Sequence, residues 1–112
     1  MREFTGGSLT VYELMKAMQR DEVVTLVLGR SGVLKLYILP LSWSDQVEGP
    51  CEGWSIDNAS TVSVDDLSRE AIPGQIIMDQ GVSVVTVSRG VPQGIVVPAN
   101  PYWRALVEGE GE

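Results

Sequence analysis

The sequence predicts an α+β fold made of two fused strand–helix–β-hairpin repeats that share one pseudo-dimeric, mostly antiparallel sheet with helices packed on one side of it. Three observations lead there. Gly32-Val33-Leu34-Lys35-Leu36-Tyr37-Ile38-Leu39-Pro40 reads like Gly90-Val91-Pro92-Gln93-Gly94-Ile95-Val96-Val97-Pro98, with glycine, valine and proline at matching places. Each segment follows a β-rich run that ends in an arginine turn, Val23 to Arg30 and Val82 to Arg89. Upstream, Thr10-Val11-Tyr12-Glu13-Leu14 reads like Ser63-Val64-Asp65-Asp66-Leu67. Thr10 to Ser63 is 53 positions and Gly32 to Gly90 is 58, so the second copy holds five extra residues, placed around Pro73-Gly74. The competing readings are two independent hairpins of similar sequence and a swapped-hairpin barrel.

Each element has a local cause. Thr10 with Glu13 three residues on is a capping-box pattern, and Val11, Leu14, Met15 and Met18 make one apolar stripe, so a helix runs from Thr10 to about Arg20. Val23 to Leu28 is apolar and β-branched, Arg30-Ser31-Gly32 is a turn, and Val33 to Leu39 is a strand that Pro40 stops. Leu41 to Ser60, rich in serine, glycine, asparagine and aspartate, reads as connecting chain with a short helical turn near Trp43, and Trp54 and Ile56 are placed against the core. The second copy opens with a short strand at Val62 and Val64, a cap at Ser63 and Asp66, and a helix from Leu67 to Ala71. Pro73-Gly74 re-aims the chain and Gln75 to Asp79 suits a short helix. Val82 to Ser88 and Val91 to Val97 repeat the hairpin, with a positive φ expected at Gly90. Tyr102 to Val107 closes as a helical turn or two. The organisation is residues 1–44 as first repeat, 45–60 as linker, 61–107 as second repeat and 108–112 as a disordered acidic tail.

At 112 residues with 44% hydrophobic content the chain makes one domain with a core, and halves of about 50 residues would be marginal alone. The net charge of −7 is uneven: about +1 before Asp45 and −8 from there on. That balance weighs against tight nonspecific nucleic-acid binding but leaves room for a local basic patch. A lone cysteine, Cys51, forms no internal disulfide, and no apolar stretch approaches a membrane span or a signal-peptide core, so a cytoplasmic protein without a membrane partner is expected. With no histidine the commonest general base and metal ligand is missing. Glu48 and Glu52 disfavour a thiolate at Cys51, and Asp65-Asp66 suits a helix start better than a catalytic dyad. Gly29-Arg30-Ser31-Gly32 lacks the lysine and spacing of a phosphate loop. The expectation is a non-enzymatic protein without cofactor or metal.

The second half resembles the N-terminal domain of prevent-host-death antitoxins, the Phd/YefM family. The resemblance rests on Val62-Ser63-Val64-Asp65-Asp66-Leu67, on the run from Gly81 to Pro98 with Arg89-Gly90-Val91-Pro92 at its turn, and on Tyr102 and Leu106 after it. It covers about Ser60 to Val107, and the hairpin is its most specific part. Leu9 to Trp43 resembles the same pattern more loosely, with Trp43 standing where the family has tyrosine. Family domains pair as dimers sharing one sheet and bind operator DNA, and a C-terminal tail wraps a toxin. The resemblance therefore implies an antitoxin-like DNA-binding transcriptional regulator built as an intrachain pseudo-dimer, monomeric or a higher homo-oligomer. Residues 107–112 are too few for a wrapping tail, and the basic helix start is thin. The nucleic-acid-binding candidates are Lys16, Arg20 and Arg69 after the capped helix starts, and Arg30, Lys35 and Arg89 at the hairpin turns. The alternative is an acidic protein-binding module or inhibitor that keeps the scaffold without DNA binding. Trp43, Tyr102 and Trp103 are its candidate contacts; Tyr102 and Trp103 are adjacent, so they cannot both face one way.

Overall fold

The computed structural model describes residues 2–5, 8–28, 34–48, 53–55, 57–69, 82–87, 90–99 and 101–109. The strands are β1 (Arg2–Thr5), β2 (Val24–Leu28), β3 (Leu34–Pro40), β4 (Thr61–Ser63), β5 (Ser83–Val87) and β6 (Val91–Pro98). The helices are α1 (Val11–Gln19), α2 (Ser44–Glu48), α3 (Val64–Arg69) and α4 (Pro101–Arg104), the last running on as a π-turn over Ala105–Gly109. A 3₁₀ turn, Leu41–Trp43, leads into α2. No described helix is long and apolar enough to cross a membrane.

The fold is α+β around one mixed sheet in the order β1-β2-β3-β6-β5-β4. β1 pairs parallel with β2 and β4 parallel with β5, while the three central pairings are antiparallel. Read from either edge, the sheet has the same sequence of directions. Each parallel edge needs a crossover, which α1 and α3 supply. In the β3–β6 pairing Ile38 faces Val96, 58 residues on, and the outer pairs are Leu36 with Pro98 and Pro40 with Gly94. The sheet is open, with β1 and β4 at its edges, so the swapped-hairpin barrel is not formed.

Both helix caps form as read, but α3 starts at Val64, which was placed in the strand, rather than at Leu67. Thr10 Oγ1 accepts the Glu13 N–H at 3.1 Å, and Ser63 Oγ accepts the Asp66 N–H at 3.1 Å. At its far end α1 closes with Asp21 N–H to Met18 C=O and Glu22 N–H to Ala17 C=O, both at 3.0 Å. That pattern is a Schellman cap, and Asp21 takes the left-handed position with φ 58°. Asp21 Oδ1 is held by the Ser42 hydroxyl at 2.8 Å.

Helices cover both faces of the sheet, not one. Leu36, Tyr37, Ile38 and Leu39 are all fully buried, and successive strand side chains point to opposite faces. Leu36 and Ile38 join Leu14, Ala17 and Leu67 on the α1/α3 side, and Tyr37 and Leu39 join Val47 and Trp103 on the α2/α4 side. A strand apolar at consecutive positions requires cover on both sides. Trp54 packs on the second cluster as expected, and Ile56 lies outside the described residues.

Other differences are local. β1 was not located in the sequence, since Arg-Glu-Phe-Thr carries no strand pattern; it forms because β2 offers it a partner. The segment read as linker starts as α2. The five extra residues placed around Pro73-Gly74 and the suggested helix at Gln75 to Asp79 both lie outside the described residues. Gly90 has φ +74°. Glu108 and Gly109 continue the helix rather than starting a disordered tail, and 110–112 lie outside the described residues.

Gly94 sits where β6 crosses under α1, and the ladder there skips Gln93 in a bulge. A Cβ on Gly94 would lie 2.9 Å from Ile38 Cγ2, 3.0 Å from the Leu39 carbonyl oxygen and 3.2 Å from the Met18 sulfur. Met18 can shift, whereas the Leu39 backbone is held in the ladder to β6, opposite Ile95. Gly94→Ala should therefore lower stability by about 1–3 kcal/mol. An unchanged urea midpoint would mean that α1 and β3 do not close on β6 as described.

Candidate nucleic-acid interface

Because Leu14 and Leu67 point into the same cluster, α1 and α3 lie on one face of the sheet, each with its outer side to solvent. On α1 the outer side is built by four-residue spacing. Tyr12, Lys16 and Arg20 follow one another along the helix, opposite the inward Leu14 and Ala17. Tyr12 is 67% exposed, and Lys16 Nζ stands 5.0 Å from its ring centroid. That cation–π contact props the ammonium on the phenol at the surface. Arg20, at the C-cap, is exposed. Tyr12 escaped the sequence reading; its spacing to Lys16 and Arg20, off the apolar stripe, was the available signal.

The same positions on α3, 53 residues on, hold Asp65 and Arg69. Asp65 and Asp66 are exposed in the first turn, and Arg69 is the last described residue of α3. Lys16, Arg20 and Arg69 therefore belong to helices of one layer.

The other cations do not join them. Lys35 shares the pleat of Tyr37 and so faces the α2/α4 side, across the sheet from Lys16. Arg30 and Arg89 lie outside the described residues, as does Cys51. The paired patch expected from Arg30, Lys35 and Arg89 is thus reduced to Lys35 among the described residues, half-buried and apart from the helix face.

Of the three aromatic candidates only Tyr102 is a surface group. It is 51% exposed and meets Trp103 edge-on, centroids 5.0 Å apart at 84°. Trp103 is buried and Trp43 half-buried, both in the α2/α4 cluster, so they pack the core. Adjacent residues on a helix diverge, and the apolar face took the indole.

A polar cluster on this second face was not foreseen. The buried Tyr37 hydroxyl donates to Glu108 Oε2. Arg104, one turn earlier, donates to the Ala99 carbonyl at 3.2 Å, and Ala99 N–H donates to the Lys35 carbonyl at 3.1 Å. Burial, then the hydrogen bond and negative charge of Glu108, push the Tyr37 phenol up to about 12, with Arg104 pulling the other way. An open depression of about 460 Å³ lies beside it, lined by Pro101, Arg104, Ala105 and Glu108. A phenol in the middle of an aliphatic strand was the one hint, since buried tyrosine hydroxyls find partners. Among the described residues no group of three or more Cys, Asp or Glu is placed to hold a metal ion.

Compared with known proteins, the chain matches no family model, no curated protein and no solved structure.

Proposed function

We propose that the chain is an intrachain pseudo-dimer of the kind its resemblance to Phd/YefM antitoxins implies, and that it acts as a non-enzymatic, antitoxin-like DNA-binding transcriptional regulator through the outer face of α1 and α3. The observation that carries this reading is the sheet: its strand order and directions read alike from both edges, and Ile38 opposite Val96 puts the 58-residue offset at its centre. The identical caps on two helices 53 residues apart support it. A fused pair needs no second chain, so light scattering should return a monomer of 12.2 kDa. Duplex DNA carrying the protein's own promoter region should form complexes whose affinity falls steeply and linearly in log salt. No complex at low salt would remove the DNA role.

A second reading is favoured by the −7 charge and by the exposed ring of Tyr102: an acidic protein-binding module or inhibitor on the same scaffold. It expects one stoichiometric protein in affinity capture, lost on Tyr102→Ala.

A further inference from the structure

We infer that the cleft at the Pro40–Gly94 end of the β3–β6 ladder is a binding site for a small primary amine. This site is independent of the DNA-binding role proposed above, and either can fail without the other. The cleft holds about 280 Å³, the size of a small ligand site. The end of α1 makes one wall, the chain leaving β3 a second and the start of β6 a third, so both halves of the sequence build it.

The fold holds its polar groups in place. Asp21 occupies the left-handed position of the α1 cap with φ 58°, and the Ser42 hydroxyl donates to its Oδ1 at 2.8 Å. That bond orients the carboxylate and leaves Oδ2 to a ligand. Gln93 is the residue that the β5–β6 ladder skips, and a bulge re-aims the side chain it carries. Gln19, the last residue of α1, is exposed on the opposite wall. Each of the two carboxamides offers a carbonyl acceptor. Met18, Leu41 and Pro92 give the lining an apolar side.

An ammonium group carries three donors and a full positive charge. In this cleft it meets one oriented carboxylate and two carbonyl oxygens, while its alkyl chain lies on the apolar side. An anionic ligand would face Asp21 and be repelled. An alcohol would fill the same space without the stronger, charge-assisted bond to the carboxylate. Arg20 follows Tyr12 and Lys16 along the outer side of α1 and does not line the cleft.

The test is titration of the full chain, labelled with ¹⁵N, with n-butylammonium, n-butanol and butyrate at matched ionic strength. n-Butylammonium should give saturable amide shifts centred on Gln19, Asp21, Ser42 and Gln93, with half-saturation at about 1–10 mM. n-Butanol and butyrate should give none that saturate. Asp21→Asn should weaken amine binding at least about ten-fold, with the cap kept because asparagine also adopts the left-handed conformation. Gln93→Leu, which leaves the cap untouched, should weaken it about three-fold and serves should Asp21→Asn disturb α1. Equal shifts with n-butanol, unchanged affinity in both variants, or amine shifts spread over distant acids such as Asp57 and Asp65 would overturn the site.

Discussion

Trp103→Ala should cost about 3–5 kcal/mol of unfolding free energy, a large share of the 5–15 kcal/mol typical of a domain. Trp103 is 4% exposed and belongs to the cluster with Tyr37, Leu39, Val47, Ile95 and Val97. It is the largest side chain that α4 lays on this face of the sheet, so its removal opens a cavity over β3 and β6 that smaller neighbours cannot fill. Tyr102→Ala, next to it, removes one edge contact from a half-exposed ring and should cost no more than about 1 kcal/mol. Urea unfolding of the two variants measures the contrast directly. A Trp103→Ala loss below about 1 kcal/mol would mean that α4 does not cover the sheet.

Raising the pH through the phenol range should destabilise the protein by at most about 2–3 kcal/mol through Tyr37 alone. In the unfolded chain the phenol ionises near its ordinary value of 10.0, and in the folded chain at about 12, because burial and then Glu108 oppose the phenolate. Between those values the unfolded state has given up a proton that the folded state keeps. The stabilising effect is therefore complete below pH 10.0 and is lost as pH rises to about 12. Water reaching the exposed Glu108 and Arg104 screens their share and trims the total. Tyr37→Phe should remove this part of the alkaline slope, at a cost near neutral pH of about 1 kcal/mol for the lost hydrogen bond. Wild-type and Tyr37→Phe proteins with equal alkaline slopes in urea unfolding would refute the burial of that hydroxyl.

Much of the fold was legible because its causes are local. A hydroxyl three residues before an acid names a helix start whatever surrounds it, and both caps form as read, at Thr10 and at Ser63. The hairpin strands follow from β-branched runs, and Gly90 takes the left-handed turn that its type allows. The site was less legible. Lys16, Arg20 and Arg69 fall on helices of one layer, but Lys35 falls across the sheet, and a strand's face is set by its pairing: a slip of one residue would have turned it over. Tyr12 was passed over because its meaning depends on Lys16 one turn on.

What the sequence determined by itself is the two capped helix starts, the two hairpins and the charge imbalance between the halves, since these depend on neighbours within a few positions. What only the tertiary structure decided is which strands meet, which faces are covered and which aromatic goes inside. β3 joins β6, β1 finds β2, Trp103 is buried while Tyr102 is not, and Tyr37 reaches Glu108 from 71 residues away. Those choices follow from burying both faces of β3 and β6 at once, a condition on the whole chain that no local window contains.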